Sequence, residues 1–211
     1  MNITIIGAGK MSSALVKQLT HAGHKVSITS RSSEKADALA ASYAGATSVA
    51  AVNSVENADA IILASGYADA VNALKSVGNL TGKVVIDITN PLTADYMGLT
   101  IGHTTSAAEE IAKAIPEAEV VKAFNTLFAQ VIANGADFGG GQTASVFVAS
   151  DSERAKQMAS VIAQSMGFVV LDAGGLKNAR YLEPIAGFNI YLGYGAGKGT
   201  AIAPTWIQST H

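Results

Sequence analysis

Short runs of β-branched and aliphatic residues recur along the chain, and between them Ala, Leu and Ile return every three or four positions. The short runs predict buried strands, and the spaced positions predict helices with one apolar face. Strands are expected at 2–6, 25–30, 46–50, 59–64, 83–88, 119–124, 143–149 and 167–171. Helices are expected at 10–22, 33–43, 68–77, 105–114 and 151–165, with a last one over much of 176–194. Strand-helix alternation of this kind builds a mostly parallel, doubly wound sheet, so the fold class is α/β. Local chemistry marks several boundaries. Ser106-Ala107-Ala108-Glu109 reads as a capping box, Asp151 is placed to cap the helix that ends near Gly167, and Gly82 precedes a buried strand. The stretch from Gly135 to Gly141 reads as a mobile loop or a domain joint.

Gly7-Ala8-Gly9-Lys10-Met11-Ser12 stands where the first strand gives way to the first helix. In that setting the first glycine permits a tight turn and the second keeps side-chain atoms away from a pyrophosphate. The third position must be small, so that helix and strand pack closely. Here it is Ser12, which still fits. Free amides and the helix dipole favour a phosphate at this end. A glycine pattern alone says little, but after a strand and before a helix it points to dinucleotide binding. Gly7, Gly9, Lys10, Met11 and Ser12 are therefore candidate cofactor contacts, and the sheet is expected to be of Rossmann type. Residues 1–134 would be the dinucleotide-binding domain. Residues 135–211 would be a small C-terminal α/β region forming part of an acceptor cleft.

The second strand ends Thr29-Ser30-Arg31-Ser32-Ser33, with no carboxylate before Glu34. NAD sites usually place an acid there to bind the ribose hydroxyls. A guanidinium with hydroxyls suits a 2′-phosphate instead, through charge-assisted hydrogen bonds. Ser30 and Arg31 are the expected ligands, with Ser32, Ser33 or Lys35 assisting, and the expected cofactor is NADP(H). A plain surface turn, with Ser33 capping the next helix, is the bland alternative.

Ligands of such a sheet lie along the C-terminal strand ends. Three stand out: Ala64-Ser65-Gly66-Tyr67, Asp87-Ile88-Thr89-Asn90-Pro91-Leu92 and Lys122-Ala123-Phe124-Asn125-Thr126. They add Ala64, Ser65, Gly66, Asn90, Pro91, Ala123, Phe124 and Asn125 to the candidate contacts, although Phe124 also reads as core. Asp87, inside an apolar strand end, is expected to accept backbone hydrogen bonds around Thr89 and Asn90.

These segments, with Asp172-Ala173-Gly174-Gly175-Leu176 and Ala179-Arg180-Tyr181-Leu182-Glu183-Pro184, resemble the NADPH-dependent coenzyme F-420 (deazaflavin) reductases. That family is also called the F-420-dependent NADP oxidoreductases, and a related domain forms the cytosolic part of the six-transmembrane metalloreductases. The resemblance runs to about residue 190. It implies a Rossmann-type fold, NADPH as cofactor and a flavin or deazaflavin as co-substrate. It is less specific for the electron acceptor.

Composition narrows the picture. The chain has 211 residues, 49% of them apolar and 14% charged, enough to build a real core. A net charge of −2 with no basic run gives no case for nucleic acid. With no cysteine, thiolate metal sites and disulfides are excluded, and His21, His24, His103 and His211 lack ligand spacing, so no metal is expected. No apolar stretch reaches the ~20 residues of a membrane span and no secretory signal is evident, so a cytoplasmic location is expected. The expected partner is a small-molecule substrate, and a homodimer is compatible with this picture.

Gly193-Tyr194-Gly195-Ala196-Gly197-Lys198-Gly199-Thr200 fails the P-loop pattern, since Lys198 precedes Gly and no strand comes before it. It reads better as a flexible wall of the acceptor site. Phe188, Tyr191, Leu192 and Tyr194 would offer that site ring-compatible surface, or simply pack the last helix. The expected activity is NADPH-dependent hydride transfer to a flavin- or deazaflavin-type acceptor, with no dedicated side-chain acid. Two alternatives share the cofactor site. One is a dehydrogenase of small carbonyls or imines, drawing on Lys122 or Asn125, and the other is a non-catalytic NADP(H) sensor.

Overall fold

The structure is a computed structural model that describes residues 1–209, so His211 lies outside the described residues. Six strands form the main sheet: β1 (Asn2–Ile6), β2 (Lys25–Thr29), β3 (Ala46–Ser48), β4 (Ala60–Leu63), β5 (Val84–Asp87) and β6 (Glu119–Lys122). Their order is β3-β2-β1-β4-β5-β6, and every pairing is parallel. All residues of β4 and β5 are buried, as expected for strands covered on both faces.

The covering helices are α1 (Lys10–His21), α2 (Ser33–Ala41), α3 (Ala70–Lys75), α4 (Ala107–Ala114), α5 (Ala129–Asn134) and α6 (Glu153–Ser165). On one face Leu15, Val16 and Leu19 of α1 join Ala36 of α2, Ile132 of α5 and Ile162 of α6 against Ile3, Ile5, Ile28, Ile62 and Ile86. On the other, Leu74 of α3 and Ile111 of α4 pack on Ile61, Leu63 and Val85. Ser12, Leu15, Val16 and Leu19 lie three or four apart, so one stripe of α1 is buried.

Beyond β6 the chain adds a hairpin of β7 (Asp137–Gly139) and β8 (Gln142–Thr143), then a parallel pair, β9 (Ser145–Val148) and β10 (Val169–Asp172). An antiparallel bridge between Lys122 and Ala149 joins β9 to the edge of the main sheet. α7 (Ala179–Ile190) follows and closes over the strand ends.

The doubly wound α/β sheet is the expected fold, and its differences in detail have local causes. The segment expected as a loop at 135–141 turns back on itself as the β7–β8 hairpin, with Gly139, Gly140 and Gly141 all at positive φ. α5 was not expected, because six residues are too few to show a helical period. The last helix is three pieces: a 3-10 turn at Leu176–Asn178, α7, and a π-type turn at Tyr191–Gly195.

Ser152, not Asp151, caps α6 by accepting from the Ala155 amide; Asp151 accepts from the Leu176 amide at 2.9 Å instead. Ser32, not Ser33, caps α2. Ser106 caps α4 as expected, its Oγ accepting from the Glu109 amide at 3.2 Å, while the Glu109 carboxylate accepts from the Ser106 hydroxyl at 2.7 Å. Among the described residues no helix is long and apolar enough to cross a membrane.

Candidate cofactor and acceptor site

Strand order reverses between β1 and β4, and ligand crevices of parallel sheets open at such a point. Gly7 sits there at φ +132°, where a Cβ would lie 2.5 Å from the Ala64 carbonyl oxygen. Only glycine lets the chain pass this close to the end of β4. Its amide donates to Thr29 O at 2.8 Å, tying the turn to β2.

Gly9 has the opposite character. It is extended at φ −91°, it begins α1 with no side-chain cap, and a Cβ there would meet nothing within 4 Å. The first amides of α1 therefore face open space, a donor set that fits a pyrophosphate. Ser12 is fully buried beneath the turn with its hydroxyl unpaired. It packs helix on strand and does not face the crevice.

Two cavities flank this turn. The first, about 620 Å³, has Ser30, Arg31, Ser32 and Lys35 on one wall and Asp69, Asn72 and Ser76 on the other. The second, about 800 Å³, is lined by Lys10, Met11, Asn90, Asn125, Phe128 and Tyr194, among others. Gly9, Ala64, Ser65 and Gly66 line both, so the cavities are two ends of one groove. In the first, Ser30 Oγ accepts from the Ser32 amide at 3.3 Å, and Arg31 Nη2 pairs with Asp69 Oδ2 at 3.1 Å.

The floor of the second cavity is held by two asparagines. Asn90 Nδ2 donates to Asn125 O, and Asn125 Nδ2 donates to Asn90 Oδ1, both at 2.9 Å. Asn125 Nδ2 also donates to Leu182 O at 3.1 Å, drawing α7 onto the strand ends, and its Oδ1 is buried without a partner. Phe124 makes this possible through its backbone. Its φ of +60° is rare for a bulky residue and turns Asn125 toward the cavity, while its ring sits in the core edge-on to Phe168. Phe124 is thus core. Ala123 is fully buried, and Pro91 is placed to accept hydrogen bonds from Thr100, so neither lines the groove.

Beneath the floor lies a buried ion cluster. Lys122 Nζ sits 2.7 Å from Asp87 Oδ2 and 2.9 Å from Glu183 Oε1, all three side chains being at most 1% exposed. Lys122 also donates to Thr89 O at 2.6 Å. Asp87 accepts from the Thr89 amide, as expected, and Glu183 from the amides of Ala107 and Ala108. Lys122 is therefore shut off from the groove and cannot protonate a substrate there.

Three other groups titrate away from their usual ranges. The Thr93 hydroxyl and the Met97 amide hold Asp95, on the cavity rim, below the usual carboxylate range. Burial, with nearby Glu110, Glu183 and Asp87, pushes the Tyr67 phenol up. Arg180 and then Ser106 hold Glu109 low, against its own burial. Among the described residues no three His, Asp or Glu side chains are grouped to hold a metal.

The expected aromatic wall is only partly there. Tyr194 lines the cavity, set edge-on to Phe128 at 5.8 Å. Gly193 permits this contact, since a Cβ would come 2.7 Å from Phe128. Phe188 and Tyr191 instead stack on each other at the surface, 62% and 51% exposed. Sequence reasoning missed Asp69, Tyr96, Met97 and Asn189, which reach the groove from turns and a helix far along the chain. The Leu92–Leu99 bridge closes the loop that presents Tyr96 and Met97.

An all-parallel main sheet in this order, a glycine turn at its switch point and a basic, acid-free β2 end form a Rossmann-type crevice suited to NADP(H). Residues 2–91 match the sequence model of a family described as NADP oxidoreductase coenzyme F420-dependent. The chain is 28% identical to an F420-dependent NADP reductase of Methanothermobacter marburgensis over 211 residues, covering 91% of this chain and 92% of that one. A solved structure described as an F420-dependent NADP-reductase from Arthrobacter sp. FB24 superposes with a TM-score of 0.83 at 28% identity, over 94% of this chain and 96% of that one. The metalloreductase STEAP3 of Rattus norvegicus is 32% identical over 183 residues, 87% of this chain, but the chain spans only 36% of that relative. The chain is thus similar to the F420-dependent NADP oxidoreductases, through its first 91 residues in the family model and over most of its length in two relatives, as its sequence resemblance implies.

Proposed function

We infer that this protein binds NADP(H) along the groove and exchanges a hydride between it and a flat, conjugated acceptor of flavin or deazaflavin type. The observation that carries this reading is the continuity of the two cavities through Gly9, Ala64, Ser65 and Gly66. The adenosine 2′-phosphate would meet Ser30, Arg31, Ser32 and Lys35, and the pyrophosphate the bare amides at the start of α1. The nicotinamide end would rest near Asn90 and Asn125. When bound, NADP(H) supplies the hydride chemistry itself.

The protein's own residues bind, orient and exclude water. Asn90 and Asn125 fix the floor, and Met11, Phe128, Tyr194 and Met97 give apolar surface for a ring face. Lys122 is locked in its ion cluster and Asp95 is held ionised, so neither serves as the proton donor that carbonyl reduction needs. The relatives' names, F420-dependent NADP reductase and metalloreductase, also suit a redox acceptor. In this reading residues 1–134 hold the dinucleotide, and 135–211 are the C-terminal region whose described residues Ala186, Asn189, Ile190 and Tyr194 supply the far wall. The substrate is a small molecule and the location cytoplasmic.

Cofactor preference tests the binding half of this reading. Arg31→Ala is expected to weaken NADPH binding about 10- to 100-fold, the worth of a charge-assisted contact at roughly 1.5–3 kcal/mol, and to leave NADH nearly unchanged. Equal calorimetric affinities of the unmutated protein for NADPH and NADH would refute it.

A further inference from the structure

We propose that Asp69 is a specificity-determining residue of the dinucleotide site, a carboxylate that holds Arg31 while no 2′-phosphate is present and yields it when one binds. The inference rests on the NADP(H) reading above.

Arg31 lies on the turn after β2 and Asp69 on the 3-10 turn Tyr67–Asp69 after β4. These turns are opposite walls of the same 620 Å³ cavity. The 3.1 Å ion pair therefore spans the cavity at its solvent edge, where the side chains are 86% and 44% exposed. Among the described residues lining this cavity, Asp69 is the only acid, while Arg31 and Lys35 are the only cations.

A carboxylate oxygen at this distance makes the contact that a phosphate oxygen would make. An exposed pair of this kind is weak, so it exchanges readily. A dianion that also reaches Ser30, Ser32 and Lys35 wins the guanidinium. The released carboxylate stays in the cavity and repels that dianion. Both effects lower affinity for 2′-phosphorylated nucleotides alone, because a ligand without that phosphate leaves the pair closed. Asp69 thus moderates NADP(H) binding, so that oxidised and reduced cofactor exchange faster than the basic turn alone would allow.

The test uses 2′,5′-ADP and 5′-AMP as calorimetric probes of the full chain, with the isosteric variant Asp69→Asn in the parent and Arg31→Ala backgrounds. Asp69→Asn is expected to tighten 2′,5′-ADP binding about 3- to 10-fold and leave 5′-AMP unchanged. With Arg31→Ala already present, the gain is expected to fall below about 2-fold. Unchanged or weaker 2′,5′-ADP binding in Asp69→Asn overturns the proposal, since Asp69 would then be a bystander or would hold Arg31 in its binding pose. An equal gain in both backgrounds also overturns it, because repulsion without a handover would explain that result. If the unmutated protein does not distinguish the two probes, the NADP(H) reading itself fails and this inference with it. If it distinguishes them and Asp69→Asn gains nothing, only this inference fails.

Discussion

Gly9→Val is expected to weaken NADPH binding by at least about 100-fold, or ~2.7 kcal/mol, while the protein stays folded. The backbone at Gly9 is extended at φ −91°, a conformation valine adopts readily, and a Cβ there meets nothing within 4 Å. The folded chain therefore has room for the side chain. The open space it would enter lies over the first amides of α1, where the phosphates would sit. The melting temperature should move by only about 4 °C or less, corresponding to roughly 1 kcal/mol in a chain of this size.

Gly7→Ala gives the contrast. Its Cβ would lie 2.5 Å from the Ala64 carbonyl oxygen at φ +132°, so this variant should lose stability first. A melt followed by a cofactor titration separates the two. Normal NADPH binding by Gly9→Val would move the phosphates elsewhere.

The second large effect concerns stability. Lys122→Met is expected to cost about 3–5 kcal/mol, because it leaves the carboxylates of Asp87 and Glu183 buried without their ammonium. The lost contacts join β6 to the end of β5 and to α7, whose Glu183 also holds the start of α4, so the groove floor should loosen along with the fold. Urea unfolding measures this through the midpoint at constant slope. A change below about 1 kcal/mol would mean that the cluster is not needed to hold these elements together. Loss of activity in a Lys122 variant is therefore expected to follow loss of fold, and is no sign of a proton donor.

Much of this architecture could be read from local signals. The strand runs, the Gly7–Gly9 turn and the acid-free Ser30-Arg31 end each depend on neighbours within a few residues, and period and turn chemistry report such features directly. The missed features depend on residues that meet only after folding. Glu183 reaches Lys122 from a distant helix, and Asp69 meets Arg31 across two turns. Nothing adjacent to either acid signals its partner. Phe124 shows a different limit. Its position at a strand end suggested contact with the cofactor, but its ring is core and its part in the site is the φ of +60° that aims Asn125. Phe188 and Tyr191 have the right chemistry for a ring-binding wall, yet the path of α7 and of the π-type turn after it leaves them outward and puts Ala186, Asn189 and Ile190 on the cavity side.

The most direct test of the proposed activity is rapid mixing of the protein and NADPH with a panel of flavin, deazaflavin, quinone, carbonyl and imine acceptors, followed by the loss of reduced-nicotinamide absorbance. The account predicts that a flavin or deazaflavin is reduced far faster than any small aldehyde, ketone or imine. Good turnover of a small carbonyl or imine, with no reduction of any ring acceptor, would contradict it.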